Sequence, residues 1–576
     1  MFKKILALAL ALLMLATVFA GCSKKNTNLG ETSDTKAETK AKTTFEEEDL
    51  EGESPDEDFQ DEEEITEDDS EEESSEKMTL NETNPDFTRD GEVQDTREED
   101  DWTIAELLDP KNHEGSNIPD DRDYEGYEFK LLVDIGGGGM LTEFRPESDG
   151  DLVKDKINER TKMIEEYLGV SINLIEFQGG YANMDGYASE IEASSGAGTP
   201  YDLSASYNLI PPIVAAKGLS RDLAESDNLN LLNTTKPYWG KEIKQEIMIG
   251  GRIFWMSDNS SWSSIRSMVC IFVNKSRFET NNEGFTVDKL YEMVDNKTWT
   301  MDNMLVLSQN AYVNSNIGDA STDGVDAGDE FGFCATFKDA TLDSWLYCAG
   351  FRSTRLNPVK GTYDWIYGDP SVISFIDDWQ EKLLDDDVIR NGGRTFGQDG
   401  RAIFMYGPVY QCEYPLEYEY TVLPAPFYSA SVKNNYSTVC CNVYSSYLIP
   451  KASKSEAFER SATVLELIAA GGNQYVAPAY FEVFLKRQQA GMDHDMFRMF
   501  NIIRNSQVFD IGYLYGSVLT YERPNDAGFE EPFIALRRIW GGDGTGFYSN
   551  MSSVWASIGS SITVKLKNLM VDILDY

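Results

Sequence analysis

Between residues 127 and 177 the spacing of apolar positions changes twice. Tyr127 to Ile135 runs apolar like a strand and breaks at Gly136-Gly137-Gly138-Gly139. Leu152, Ile157, Ile164, Tyr167 and Leu168 then recur at near-helical spacing up to Gly169, and Val170 to Phe177 reads as a second strand. Strand, helix, strand opens an α/β unit on a mostly parallel sheet. Tyr201 to Ser206 continues it as a third strand, followed by a loop at Tyr207-Asn208 and a helix through Ile213 to Lys217. Further strands are predicted at Arg252 to Trp255 and Met268 to Asn274, and helices at 285–295, 300–311, 371–385, 454–470 and 478–490. Ligands of open α/β sheets lie beyond the carboxyl ends of the strands, which points to the loops at Gly136 to Gly139 and Tyr207-Asn208.

The first hundred residues follow another pattern. Lys3 and Lys4 precede an apolar run from Ile5 to Ala20, which ends at Gly21-Cys22. The run is short for a bilayer span of about 20 residues and reads as a signal peptide. Val18-Phe19-Ala20-Gly21-Cys22 resembles a bacterial lipobox, which implies cleavage before Cys22 and lipidation of its thiol. From Glu31 to Asp101 there are 32 Asp and Glu against 6 Lys and Arg, a net of −26, with almost no large apolar side chains. Such a stretch cannot bury enough surface to offset its chain entropy and reads as an extended acidic tether. Trp102, Ile104, Leu107 and Leu108 mark a short possible helix where folded structure begins.

The formal charge of the whole chain is −49. Nucleic acid and anionic lipid headgroups are therefore poor partners. His113 and His494 are the only histidines, and neither His-Glu-x-x-His nor Gly-x-Ser-x-Gly occurs, which argues against zinc and histidine-based nucleophilic chemistry. Two carboxylates could still hydrolyse a glycan. The four glycines lack the Lys-Ser or Lys-Thr of a P-loop and read as a flexible loop. Beside Cys22 stand six cysteines, Cys270, Cys334, Cys348, Cys412, Cys440 and Cys441, irregularly spaced and several in apolar runs; they read as buried free thiols.

One stretch has the spacing of a calcium loop: Asp319, Ser321, Asp323, Gly324, Val325 and Glu330 fall at positions 1, 3, 5, 6, 7 and 12. Asp326 occupies a position that is apolar in such loops, and Phe331-Gly332-Phe333 does not read as an exiting helix. An acidic surface turn is the favoured reading, and no cofactor is expected. Aromatics are the stronger theme. Trp379 fits the apolar face of a helix with Ile373, Ile376 and Leu383, but Trp262 stands among Ser260, Ser261, Ser263 and Ser264. Aromatic faces of that kind stack on sugar rings.

The order of these segments resembles the family 1 extracellular solute-binding proteins, the maltodextrin-binding-like receptors of bacterial ABC importers. The resemblance runs through Lys156-Ile157-Asn158-Glu159-Arg160, Glu165 to Val170, Pro200-Tyr201-Asp202-Leu203, Gly218 to Leu223, Phe272-Val273-Asn274-Lys275 and Lys297-Thr298-Trp299-Thr300. It continues through Gly400 to Met405, Tyr406-Gly407-Pro408, Val422 to Pro426 and Ile449 to Ser453, and so spans about residues 127 to 490.

The resemblance implies an α/β fold of two lobes joined by hinge strands, with a small solute caught between them. It assigns 1–21 to the signal peptide, 22–120 to lipidated Cys22 and the tether, 121–272 and 437–480 to the first lobe, and 273–436 and 481–576 to the second lobe with a helical completion. It implies no catalysis, a monomer held by lipid on the extracellular face of the cell membrane, a sugar or oligosaccharide ligand and permease subunits as partners. Carried over by position, the ligand residues are Asn208, Trp262, Arg266, Trp345 and Tyr410, with Trp540 added from the C-terminal region; Val409-Tyr410 replaces the tryptophan many sugar receptors carry after Gly-Pro. A surface adhesion or sensory protein and a carboxylate-dependent glycan hydrolase are the competing readings.

Overall fold

The computed structural model describes residues 103–575 apart from 120, 137–142, 148–149, 231–235, 241–242, 315–328, 336–339, 384–387, 390–398, 414–415, 417, 430–435, 488–493, 523–528 and 541–549. The signal segment, Cys22 and the acidic tether lie outside the described residues, as do Gly137 to Gly139 and Asp319 to Asp326.

The first α/β unit forms as its apolar pattern predicts. Strand β1 (Tyr127–Asp134) pairs in parallel with β2 (Val170–Phe177), and the helix Leu152–Leu168 links them. Asp151 caps that helix by accepting from Val153 N (2.9 Å) and Lys154 N (3.2 Å), and Gly169 ends it in the left-handed conformation (φ 58°). Strand β3 (Leu203–Tyr207) lies parallel on the other side of β1. The fourth strand of this sheet comes from far along the chain: β11 (Ser445–Leu448) runs antiparallel to β3, giving the order β11-β3-β1-β2.

A second sheet is ordered β10-β4-β9-β5-β8, from β4 (Val269–Asn274), β5 (Phe331–Ala335), β8 (Val388–Ile389), β9 (Ala402–Pro408) and β10 (Tyr420–Leu423). Phe331 to Phe333, which does not read as a helix in the sequence, lies in β5. Between β5 and β8 a hairpin, β6 (Thr354–Asn357) with β7 (Thr362–Trp365), stands apart from both sheets. Each sheet with its helices makes one lobe.

Three segments cross between the lobes side by side. Residues 267–269 bond to 439–441 through Val269 N to Val439 O (2.9 Å) and Cys441 N to Ser267 O (2.7 Å). Thr438 in turn bonds to 506–508 through Thr438 N to Ser506 O (2.8 Å) and Val508 N to Thr438 O (2.9 Å). Away from this crossing the lobes also touch through the hairpin: Arg352 Nε donates to Glu246 (2.7 Å), Gly250 N to Gly361 O (2.8 Å), and the Tyr363 hydroxyl to the carbonyls of Gln245 and Met248 (both 3.1 Å). The terminal helix Met551–Asp575 packs on β7 and also on the helix Ile210–Ala216 of the first lobe. Among the described residues no helix is long and apolar enough to cross a membrane.

Arg252 to Trp255 does not form the strand expected of it. Ile253 N instead donates to the Asp222 carboxylate (3.0 Å), and only single bridges, Ile249 with Arg252 and Met256 with Tyr447, take the place of a ladder. Among the described residues the six cysteines of the folded body form no disulfide with one another, five of them buried and Cys441 half-buried. Burial pushes the thiols of Cys334, Cys348 and Cys440 up to about 12 and raises that of Cys270. Thiolate, not thiol, reacts with disulfide reagents. In native protein Cys441 is therefore expected to react first with Ellman's reagent, the other five appearing only on unfolding; rapid reaction of two or more would contradict this packing.

Candidate functional site

The register of the second sheet decides which residues meet at the lobe junction. Strand β9 runs antiparallel to β4 with Pro408 opposite Val269, so whatever follows β9 lies against whatever precedes β4. Val409 N donates to Met268 O (2.7 Å) and fixes this junction. The chain then turns through the short 3-10 helix Val409–Glu413, while the short helix Trp262–Ser267 leads into β4. That helix begins where Ser261 Oγ accepts from Ser264 N (3.3 Å) and the buried Glu143 carboxylate accepts from Trp262 N (3.2 Å) and Ser263 N (2.5 Å). The serine-rich stretch around Trp262 is thus a buried, hydrogen-bonded platform.

On it Arg266 lies between two rings, its guanidinium carbon 4.3 Å from the Trp262 centroid and 5.5 Å from that of Tyr410. The same guanidinium grips Glu413 with both arms, Nε at 3.0 Å and Nη2 at 2.6 Å. Tyr480, from the helix Ala477–Arg487 that packs on Leu152–Leu168, donates its hydroxyl to Glu413 Oε1 (2.8 Å). Burial opposes the charge on Arg266, yet the Glu413 carboxylate, and then Tyr480 and Tyr410, hold its pKa above the ordinary value. Burial, reinforced by Cys412 and Glu413, drives the Tyr480 hydroxyl up.

These groups border a pocket of about 90 Å³ lined by Asp151, Val153, Lys154, Trp262, Cys412, Glu413, Tyr480 and Val483. Asp151, Val153 and Lys154 form the first-lobe wall with Tyr480 and Val483, whose helix packs on Leu152–Leu168 and carries the first lobe past the boundary expected at residue 480; Cys412 and Glu413 form the second. Sites for drug-sized ligands span about 300–1,000 Å³, so this pocket admits a sugar ring only if its walls part. Bonds across it, Tyr480 to Glu413 above all, are those that such an opening must exchange.

Three of the six ligand residues expected from the sequence, Trp262, Arg266 and Tyr410, meet here although Tyr410 is far from the others in the chain. The other three do not join them. Trp345 is fully buried with its ring 4.5 Å from Tyr406, 5.0 Å from Trp379 and 5.8 Å from Phe333. Trp540 is buried too, its indole N–H donating to Ile376 O (3.1 Å). Both are core side chains of the second lobe, held there by the sheet and by the helix Pro370–Lys382. Asn208 follows β3 as expected, but it is enclosed beside Tyr444 and does not border this pocket.

Of the acidic stretch with calcium-like spacing only Asp329 and Glu330 are described, and Glu330 is committed to Arg277 (2.5 and 2.9 Å), which holds its pKa down. No group of three or more His, Cys, Asp or Glu among the described residues is arranged to hold a metal ion.

Glu413, Tyr480, Asp151 and Lys154 carry no motif. They acquire meaning from the β4–β9 register and from the return of the chain after β11.

No protein-family model matches this chain, and no curated protein matches its sequence. Solved structures similar to it include the cyclic alpha-maltosyl-1,6-maltose binding protein from Arthrobacter globiformis, at 10% identity and TM-score 0.47, covering 77% of this chain and 100% of that one. A cyclo/maltodextrin-binding protein complexed with maltotetraose is 11% identical at TM-score 0.44, covering 79% and 98%. The galacto-N-biose-/lacto-N-biose I-binding protein of the ABC transporter from Bifidobacterium longum is 12% identical at TM-score 0.40, covering 78% and 98%. Likeness at this level leaves both fold and function to rest on the geometry above.

Proposed function

We propose that this chain is a non-enzymatic receptor that captures a small solute, a mono- or oligosaccharide, between its two lobes and presents it to the permease of an ABC importer. In this reading Cys22 carries lipid and holds the protein on the outer face of the cell membrane, with the acidic stretch as spacer. The observation that carries the reading is the convergence of Trp262, Arg266 and Tyr410 at the lobe junction, against three crossing segments. Aromatic faces and a fixed guanidinium beside a carboxylate suit a ring that is apolar on its faces and hydroxylated at its rim. Crossing segments of this kind allow two lobes to part and close on a ligand.

Titration calorimetry of the purified protein against neutral oligosaccharides, amino acids and peptides tests it. Saturable binding of one carbohydrate class is expected, and Trp262→Ala should weaken it at least about tenfold, because stacked aromatic anchors contribute a large share of binding energy. Folded protein that binds none of these solutes would overturn the receptor reading in favour of a surface adhesion or sensory role. Turnover of a glycan would instead support a hydrolase.

A further inference from the structure

We propose that Glu413, clasped between Arg266 and Tyr480, makes this pocket selective for neutral polyhydroxylated rings and excludes rings that bear a carboxylate. The inference rests on the receptor reading and adds a charge rule to it.

A guanidinium at the rim of a ligand pocket ordinarily invites an anion. Here one carboxylate holds Nε and Nη2, at 3.0 and 2.6 Å, so the charge of Arg266 is already compensated and an incoming anion that reached its remaining N–H groups would stand close to Glu413. Two negative charges sharing one guanidinium repel each other, and an anion that displaced Glu413 instead would leave that carboxylate without its counter-ion. The helix Leu152–Leu168 also points its N-terminus at the pocket, a second feature that would attract an anion. Its first amides, however, are already taken by the Asp151 carboxylate. The charged groups on the walls are Asp151, Lys154 and Glu413, with Arg266 behind them, two of each sign.

A neutral ring meets no such obstacle. Among the described residues Glu413 Oε1 accepts from Arg266 and Tyr480 while Oε2 accepts only from Arg266, which leaves acceptor capacity on Oε2 for a sugar hydroxyl. The Glu413 side chain is 25% exposed, enough for ligand contact. Tyr480 can also turn its donor from Glu413 to the ligand as the walls part.

The test uses the full-length protein, with calorimetry against neutral trisaccharides of glucose, mannose and galactose and against trigalacturonate. The wild type should bind a neutral trisaccharide at least about tenfold tighter than trigalacturonate, the scale of one partly screened like-charge contact. Glu413→Gln frees the guanidinium and should shrink that ratio about tenfold, while Tyr480→Phe, which keeps the charge, should leave it intact. Equal binding of both classes by the wild type overturns the proposal without needing any variant to fold. An unchanged ratio in Glu413→Gln overturns charge selection but leaves the receptor reading standing. Failure to bind any of the four probes overturns the preference for neutral rings, and the receptor reading falls with it only if the oligosaccharides, amino acids and peptides named above also fail to bind.

Discussion

Replacing Trp345 with alanine is expected to lower the stability of the second lobe by about 3 kcal/mol without altering ligand affinity in the protein that still folds. Truncating a buried tryptophan costs about 3–5 kcal/mol through lost transfer energy and the cavity left behind. The lower end applies because the Trp345 indole N–H has no hydrogen-bond partner among the described residues, so its removal relieves a buried unsatisfied donor. Trp345→Phe, which keeps a ring against Tyr406 and Trp379 and deletes the N–H, should cost under about 1.5 kcal/mol. Urea denaturation of the variants measures both. Trp262→Ala should behave in the opposite way, with little change in stability and a large loss of binding, since its ring is half-buried at the pocket wall. A Trp345→Ala protein of wild-type stability that no longer binds sugar would return Trp345 to the ligand site.

The contrast between these two tryptophans shows where sequence reasoning stops. A strand such as Met268 to Asn274 or a helix such as Leu152–Leu168 is legible because period, cap and terminating glycine are local. Trp262, Arg266 and Tyr410 were named through the family resemblance, and they meet because the antiparallel β4–β9 pairing sets the turn after β9 against the helix before β4. Aromatic identity alone cannot tell a wall from a core. Trp345 lies in the helix Ala340–Cys348, whose burial depends on β5 and β9 beneath it. Glu413 was invisible for a related reason: one carboxylate among many, it is distinguished only by the antiparallel register that places it under Arg266. Arg252 to Trp255 misled because an apolar run signals burial, and here the backbone partner is the Asp222 side chain rather than a neighbouring strand.

If the protein is the receptor proposed above, solute capture demands more than rotation about the three crossing segments. The hairpin from Thr354 to Trp365 and the terminal helix Met551–Asp575 bridge the lobes away from the pocket, and the close backbone approach of Gly361 to Gly250 would not tolerate a side chain: a Cβ on Gly361 would meet Gly250 Cα at 3.0 Å. Opening wide enough for an oligosaccharide must loosen these contacts or pivot about them. Burial lifts Glu246, the first-lobe partner of Arg352, to about 7, with the Arg352 charge acting against that rise. The bridge is therefore weakest as an ion pair where Glu246 is protonated, below neutral pH.

The second large effect is expected at Asp343. It pairs with Arg537 through two bonds of 2.9 and 2.6 Å, both side chains almost fully buried, joining the helix Ala340–Cys348 to Pro532–Ile539. Asp343→Ala strands a guanidinium in the interior, and breaking such a pair from one side costs about 3–5 kcal/mol. A second carboxyl moderates the loss. Glu531 is held up at about 7 by burial, with Arg537 pulling it down and Asp343 pushing it up. Without Asp343, the one remaining influence of charge, Arg537, favours ionised Glu531, so its pKa should fall and it should become the new counter-ion of Arg537. A carboxyl whose folded pKa lies above its unfolded value stabilises the fold fully below the unfolded value, and that contribution is lost as pH rises through the folded one. In the wild type Glu531 thus favours folding at pH 5 over pH 8, and in Asp343→Ala this slope should flatten. The variant's deficit against wild type should accordingly be larger at pH 5 than at pH 8, which denaturation at the two pH values measures. Replacing both partners, Asp343→Leu with Arg537→Met, should recover most of the lost stability, because a buried pair exchanged for apolar groups of similar volume is often neutral. A double variant as unstable as Asp343→Ala would mean that the pair itself, and not the stranded charge, holds these two helices together.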